Sequence, residues 1–438
     1  MQLRKIIDTT TMSGYQIMVV FLCFVLNMND GMDVLVVSYT DPEIIEEWGL
    51  SKSEMGWVFS MGLIGMTLGS FFLAPFGDKI GRRKLFIIAL ILNTVGMISV
   101  YFVTSYPQIL VLRVLTGLGI GGILPTMAAI TSEYSNNASR DFNVGLIQGG
   151  WPLGAILTGF FAAWAVPEFG WRFAYLFAGS VSLLMLIAVY FLMPESLDFL
   201  ANQSDDNKMQ KIKRLLVRMN KGEYVETVEL QPETEKEPSH SRNINLKKVL
   251  SIELKPSTLR LWTAIFFGFL TLYTLMSWVP GIAKDSGMPF EMATYAGMML
   301  NLGALIGVIA MSYFANRFGP KRTILVFLLT AFCSMLLYAN VGLTYMIMFI
   351  LIFFIGFFVQ GGFNTLFPIA TRVYPAQIRS TGVGLAMGIG RFGAILGPLL
   401  FGVLSDWQLS IETLFTIFSV PLVIAALMAY SIPSKNLD

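Results

Sequence analysis

Gly77-Asp78-Lys79-Ile80-Gly81-Arg82-Arg83-Lys84 separates two apolar runs, residues 55–75 and 85–104. Each run holds about 20 residues, which at about 1.5 Å per residue crosses the roughly 30 Å hydrocarbon core of a bilayer. The turn between them is glycine-rich and heavily charged, so it belongs at the membrane surface. The whole chain repeats this alternation. Its 438 residues are 55% hydrophobic and only 13% charged, about half the charge of a soluble domain. The 30 Lys and Arg against 28 Asp and Glu leave +2, with no basic excess of the kind that neutralises a phosphate backbone, which excludes nucleic-acid binding as the main role. Cys23 and Cys333 both lie in apolar runs and cannot build a disulfide framework or metal cluster, and His240 stands alone in a polar segment. No metal site is expected.

Counting outward from the turn gives twelve apolar runs: 15–38, 55–75, 85–104, 108–131, 142–165, 172–193, 259–282, 292–314, 322–341, 343–370, 380–403 and 411–431. The first begins too late and runs too long for a cleaved signal peptide, so it should persist as a helix. Positively charged loops are retained in the cytoplasm. Of the 30 Lys and Arg, 25 fall on the side that carries the N-terminus, and only Lys52, Arg172 and Lys284 on the other. Both termini are therefore expected in the cytoplasm. The polar stretch 194–258 reads as a solvated cytoplasmic loop, with a short amphipathic helix around 208–219, between a bundle over 1–193 and a second over 259–438.

The two halves repeat at a nearly constant offset. Gly65, Asp78, Gly69 and Gly81 fall on Gly303, Asn316, Gly307 and Gly319 at 238 residues. Gly121, Gly122, Thr131 and Tyr134 fall on Gly361, Gly362, Thr371 and Tyr374 at 240, and Gly154-Ala155-Ile156-Leu157 on Gly393-Ala394-Ile395-Leu396 at 239. Any one glycine is explained by close helix packing in lipid. The repeat as a whole predicts two equivalent six-helix units with a central seam, the plan of an alternating-access carrier.

The 77–84 turn and its counterpart Asn316-Arg317-Phe318-Gly319-Pro320-Lys321-Arg322 resemble the cytoplasmic signature of the major facilitator superfamily. The resemblance covers essentially the whole chain and implies an all-α polytopic membrane protein of twelve transmembrane helices in two parallel six-helix repeats. Ala74 replaces a usual Gly, Asn316 a usual Asp and Pro320 a basic residue, so the second copy is expected to gate more weakly. Asn29-Asp30-Gly31-Met32-Asp33 further resembles the Asp-Gly-aromatic-Asp motif of the aromatic acid:proton symporter family, with Met32 in the aromatic place. Arg113-x3-Gly117-x-Gly119, Pro194-Glu195-Ser196-Leu197 and Gly390-Arg391-Phe392-Gly393-Ala394 fit the same family. The resemblance implies inward proton symport of benzoate-like acids, hydroxybenzoates, muconate and related carboxylates.

Ionisable groups within a span are costly and mark pathways or relays. Asp30 and Asp33 share a helix face, about 22 and 27 Å from the inner start of the first run, and Arg113 reaches a similar height. A carboxylate that meets Arg113 in one conformation and loses it in another holds its proton differently in each. Asp30 is expected to be the proton site, Asp33 a second acid that tunes it or lines the outer vestibule, and Arg113 the counter-charge; a static packing pair is the plain alternative. Arg391 lies mid-span with no acid of the second half at comparable depth, and its guanidinium suits a carboxylate substrate. Gln148, Trp151, Tyr273, Asn301, Gln360, Phe363 and Asn364 are expected at that height, an aromatic-walled pocket with a few polar groups. For the cytoplasmic gate the candidates are Asp78, Arg82, Arg83, Glu133, Arg140, Asn316, Arg317, Arg372 and Arg379, able to form and break ion pairs at helix ends.

Other readings remain open. A carrier of a nicotinate-like acid, a dicarboxylate or a sugar acid would use Arg391 equally well; an organic-cation carrier would want an acid there. The Gly-x3-Gly-Pro pattern that drug antiporters place in span 5 occurs instead at Gly393–Pro398. A non-transporting sensor would be expected to lose the buried charges or gain a signalling domain. No Gly-x-Ser-x-Gly elbow, Walker-type loop or His cluster is present, so an enzyme has no candidate residues and no cofactor is required. The expectation is a monomeric carrier in a bacterial inner membrane, with a small carboxylate, protons and the bilayer as its partners.

Overall fold

The computed structural model describes residues 3–202, 207–228, 248–340, 344–375 and 378–433. His240 and most of the polar stretch between the halves lie outside them. The described chain is helical, and twelve helices are long and apolar enough to cross a membrane. In order, spans 1 to 6 are Gly14–Trp48, Lys52–Ile80, Arg82–Val100, Tyr106–Tyr134, Arg140–Phe169 and Trp171–Leu192. Spans 7 to 12 are Lys255–Asp285, Phe290–Phe318, Pro320–Ala339, Tyr345–Val373, Thr381–Asp406 and Ile411–Tyr430. The largest departure from the sequence reading is span 1, which continues through Pro42 to Trp48 instead of stopping at 38. The amphipathic helix expected at 208–219 forms at Lys208–Arg218, with Ile212, Leu215 and Leu216 buried.

Glycine positions show why the repeat exists. In lipid, helices approach closely only where side chains are small. A Cβ at Gly65 or Gly69 of span 2 would strike the carbonyl oxygens of Val114 and Leu118 in span 4, and one at Gly303 or Gly307 of span 8 those of Phe353 and Phe357 in span 10. Gly150 and Gly154 of span 5 lie on the carbonyls of Phe24 and Met28 in span 1; Gly393 and Gly397 of span 11 lie on those of Phe266 and Leu270 in span 7. Each half thus uses the same two glycine crossings. The turns that close spans 2 and 8 also correspond, with Gly81 at φ +99° and Gly319 at φ +84°, a backbone that any residue with a Cβ adopts only under strain.

The helices group into two compact units. One contains Met1–Asp33, Ile64–Gly154 and Tyr175–Pro238; the other contains Val34–Leu63, Ala155–Ala174 and Ser239–Asp438. Parts of spans 1, 2 and 5 therefore pack with the C-terminal six. Large apolar side chains such as Phe191, Val111 and Phe72 remain exposed along the spans, as lipid-facing surfaces require. Gly303→Leu should force spans 8 and 10 apart, at the roughly 1–3 kcal/mol typical of overpacking, and lower the melting temperature in detergent by several degrees. Gly145→Ala, with open space around the added methyl, should leave it unchanged; equal melting of the two variants would contradict the crossing.

Candidate functional site

In the first unit, Asp33 of span 1 meets Arg113 of span 4. Arg113 Nη1 donates to Asp33 Oδ1 at 3.2 Å and to the Asp33 carbonyl at 3.3 Å. Asp33 is 2% exposed and Arg113 3%, so the pair is dry. Asn93 of span 3 donates to Asp33 Oδ2 at 3.1 Å, Ser182 of span 6 donates to Asn93 Oδ1 at 2.8 Å, and Thr94 donates to Ser182 at 3.0 Å. Four helices thereby contribute to one buried polar network. The acid that hydrogen-bonds Arg113 is Asp33, which the helix turns toward span 4; one expectation changes here, because Asp33, being buried, lines no vestibule. Asp30 is also buried, at 3% exposure, one turn away. Asn93, Thr94 and Ser182 were missed; a polar residue inside an apolar run was their only sequence signal.

At the helix ends of the same unit, Arg82 forms an ion pair with Glu133. The second oxygen of Glu133 accepts from Ser196 Oγ at 2.8 Å and the Leu197 amide at 2.9 Å. Spans 3 and 4 and the segment after span 6 are joined through one carboxylate. The other gate candidates behave differently. Arg140 pairs with Asp8 and not with the 77–84 turn. Arg83 donates to the Tyr190 carbonyl, and Asp78 is exposed with no hydrogen bond or ion pair among the described residues. Arg4 adds a latch, donating to the carbonyls of Ser132 and Glu133 at 3.2 Å each, favourable placement for a cation at a helix C-terminus. Burial lowers the Arg4 pKa from its ordinary value, an effect that Asp8 opposes. In the second copy, Arg317 donates to its own helix's Tyr313 hydroxyl at 2.9 Å, Arg379 to the Tyr374 carbonyl at 3.4 Å, and Asn316 and Arg372 are exposed. No acid answers these cations among the described residues, in keeping with the loss of Asp at position 316.

In the second unit, Arg391 stands near the middle of span 11. It is half-buried, its Nη1 is fully buried, and it has neither a hydrogen bond nor an ion pair among the described residues. Its neighbour Gly390 lies against the Phe269 ring of span 7. Phe269 stacks on Tyr273 at 5.6 Å and meets Phe363 of span 10 edge-on at 4.6 Å. Gln360, one turn from Phe363, keeps a buried Oε1 with no donor among the described residues. Asn364 Nδ2 donates to the Gln360 carbonyl at 2.9 Å, next to the helix interruption at Thr365. Asn301 is fully buried and its Nδ2 donates to the Gly297 carbonyl of its own helix at 2.9 Å. Gln148 and Trp151 belong to the first unit, where Gln148 is exposed at a second helix interruption, and Trp151 is half-buried with its carbonyl against Gly31 of span 1.

The extension of span 1 brings in an acid that the sequence reading left in a loop. Asp41 is fully buried beside Gly281 of span 7, and neither carboxylate oxygen has a hydrogen-bond partner among the described residues. One turn before it, Ser38 donates to the Met276 and Ser277 carbonyls at 2.7 and 2.8 Å. The cations at this end pair elsewhere: Lys284 with Glu43 at 2.8 Å, and Lys52 with Asp285 at 2.7 Å. The Lys52 and Ser53 amides bind the Asp406 carboxylate at 2.9 and 3.0 Å. Spans 1 and 2 are thus tied to spans 7 and 11 inside this unit.

A twelve-span protein built from two repeating sets of helix crossings, with a dry charge network and an unanswered mid-span guanidinium, has the architecture of a secondary transporter. The chain belongs to the Major Facilitator Superfamily, whose family model matches residues 19–367 and 261–436. Among its relatives, the gallate transporter of Pseudomonas putida is 30% identical over 422 residues, 96% of this chain and 92% of that one. The 4-hydroxybenzoate transporter PcaK of Acinetobacter baylyi is 28% identical over 98% of this chain and 93% of its own length. In structure, the inward-open xylose transporter XylE from E. coli superposes with a TM-score of 0.75 at 15% identity, covering 95% of this chain and 96% of that one. These are transporters, not enzymes, and the protein is a multi-pass membrane protein.

Asp33→Ala strands the Arg113 guanidinium and should destabilise the protein by about 3–5 kcal/mol, the usual cost of halving a buried pair. Asp33→Ala combined with Arg113→Leu should recover most of that loss in thermal unfolding; a double variant no more stable than the single one would contradict the pairing. Asp41→Asn, at an acid with no hydrogen-bond partner to lose, should melt at or above the wild-type temperature, and a drop of several degrees would refute this reading.

Proposed function

We propose that this protein imports an aromatic or related organic carboxylate together with protons, by alternating access, across a bacterial inner membrane with both termini in the cytoplasm. The observation that carries this is the Arg391 guanidinium, held midway along span 11 without an acceptor among the described residues. A cation in that position is stabilised by an anionic cargo, and its fork accepts a carboxylate through two parallel hydrogen bonds. The Phe269, Tyr273 and Phe363 rings beside Gly390 supply an aromatic wall for a flat ring. The buried Gln360 oxygen offers an acceptor for a ring hydroxyl. Relatives that carry gallate, 4-hydroxybenzoate and benzoate support the same cargo class.

Proton coupling falls to Asp30, Asp33 and Arg113. Arg113 pairs with Asp33, and Asp30 lies one turn away on the same buried helix; in this reading Asp30 carries the proton and the pair beside it responds to its charge. Arg82 and Glu133 form the gate at the cytoplasmic end, and the ion pairs of Lys52 and Lys284 must break when the other end opens. The carrier works as a monomer. A nicotinate-like acid is the second cargo reading, favoured by the niacin transporter NiaP among the relatives, 25% identical over 85% of this chain.

Proteoliposomes test this directly. Adding 4-hydroxybenzoate, gallate, benzoate or nicotinate outside should alkalinise the medium for the true cargo, and no proton movement with any of them would reject symport. Arg391→Lys should weaken carboxylate affinity about ten- to hundredfold, the worth of one lost charge-assisted hydrogen bond. Asp30→Asn should abolish uphill accumulation while sparing downhill exchange; undiminished accumulation would reject the proton site.

A further inference from the structure

A charged cavity lies in the first unit, apart from Arg391 and from the Asp33–Arg113 network. It has a volume of ≈ 520 Å³ and is lined by residues at the end of span 6, by Arg83 at the start of span 3, and by the helix Lys208–Arg218. That volume is within the roughly 300–1,000 Å³ of small-ligand sites. Four cations line it, Arg83, Lys211, Arg214 and Arg218, against one acid, Glu195. Glu195 is held by backbone, its Oε1 accepting from the Arg83 amide at 3.1 Å and the Ser196 amide at 2.9 Å. The Arg83 side chain donates to the Tyr190 carbonyl and sits 5.8 Å from the Tyr190 ring centroid, while its buried Nε has no hydrogen-bond partner among the described residues.

The sequence of the helix builds this surface. Ile212, Leu215 and Leu216 anchor it to the core of the unit. Lys211, Arg214 and Arg218, spaced three and four apart, fall on one stripe and line the cavity. Its opposite wall is apolar and turned outward: Tyr190, Phe191 and Leu192 are 55%, 73% and 45% exposed at the last turn of span 6. A basic hollow at a span end, bordered by side chains that face hydrocarbon, matches a molecule with an anionic head and an apolar tail.

We propose that this cavity binds the phosphate headgroup of an anionic phospholipid, with the acyl chains running along Tyr190, Phe191 and Leu192. Each cation near the headgroup contributes about a fivefold gain in affinity. The site does not depend on the transported cargo.

The test uses the full chain purified in detergent, with phosphatidylglycerol, cardiolipin, phosphatidylcholine or inorganic phosphate added, read by native mass spectrometry and by melting temperature. Wild type should retain and be stabilised by the two anionic lipids over phosphatidylcholine. Arg214→Gln and Arg218→Gln should each weaken that retention about fivefold, whereas Lys213→Gln, outside the lining, should not. Equal retention of phosphatidylcholine, or unchanged retention in both arginine variants, would overturn the proposal. Stabilisation by inorganic phosphate equal to that by phosphatidylglycerol would also overturn it, assigning the cavity to a soluble anion.

Discussion

A charge carried into hydrocarbon must be answered, and this protein answers its two deep arginines in opposite ways. Arg113 is met at once by Asp33, which Asn93 and Ser182 in turn support. Arg391 has no such partner among the described residues. Desolvating a cation costs several kcal/mol unless an anion or a set of acceptors replaces its water. The first site is therefore complete as folded. In the proposed cycle the second is completed by the anionic cargo, which would turn an energetic liability into selectivity.

The glycine crossings make this asymmetry possible. Backbone-to-backbone contact of spans 2 with 4 and 8 with 10, and of 5 with 1 and 11 with 7, fixes each helix in rotation as well as position. Rotation decides which side chains meet. Span 11 sets Gly393 and Gly397 on span 7, so Arg391 is held by a rigid pair of helices and not by a mobile loop. The two halves share a scaffold and differ in their charges: the first has Asp33, Glu133 and Asp78, whereas the second has Asn316 and, among the described residues, no acid paired with Arg391.

Depth was legible in the sequence and rotation was not. Twelve runs, the repeat, the amphipathic helix, the outer-half height of Arg113 and the mid-span height of Arg391 all follow from counting along the chain. Which of two acids three residues apart turns toward Arg113 depends on helix phase, and the count cannot separate Asp30 from Asp33. Adjacent Arg82 and Arg83 diverge for the same reason, one to Glu133 and the other to Tyr190. Asp41 was lost because Pro42 and the acids after it imitate a loop, although proline is tolerated where neighbouring helices cover it.

The most direct measurement is a structure of the protein with a hydroxylated benzoate bound. The account expects the carboxylate within hydrogen-bond distance of both terminal nitrogens of Arg391 and the ring against Phe269, Tyr273 or Phe363. A ligand seated with its carboxylate on another cation, and Arg391 still without an acceptor, would contradict it.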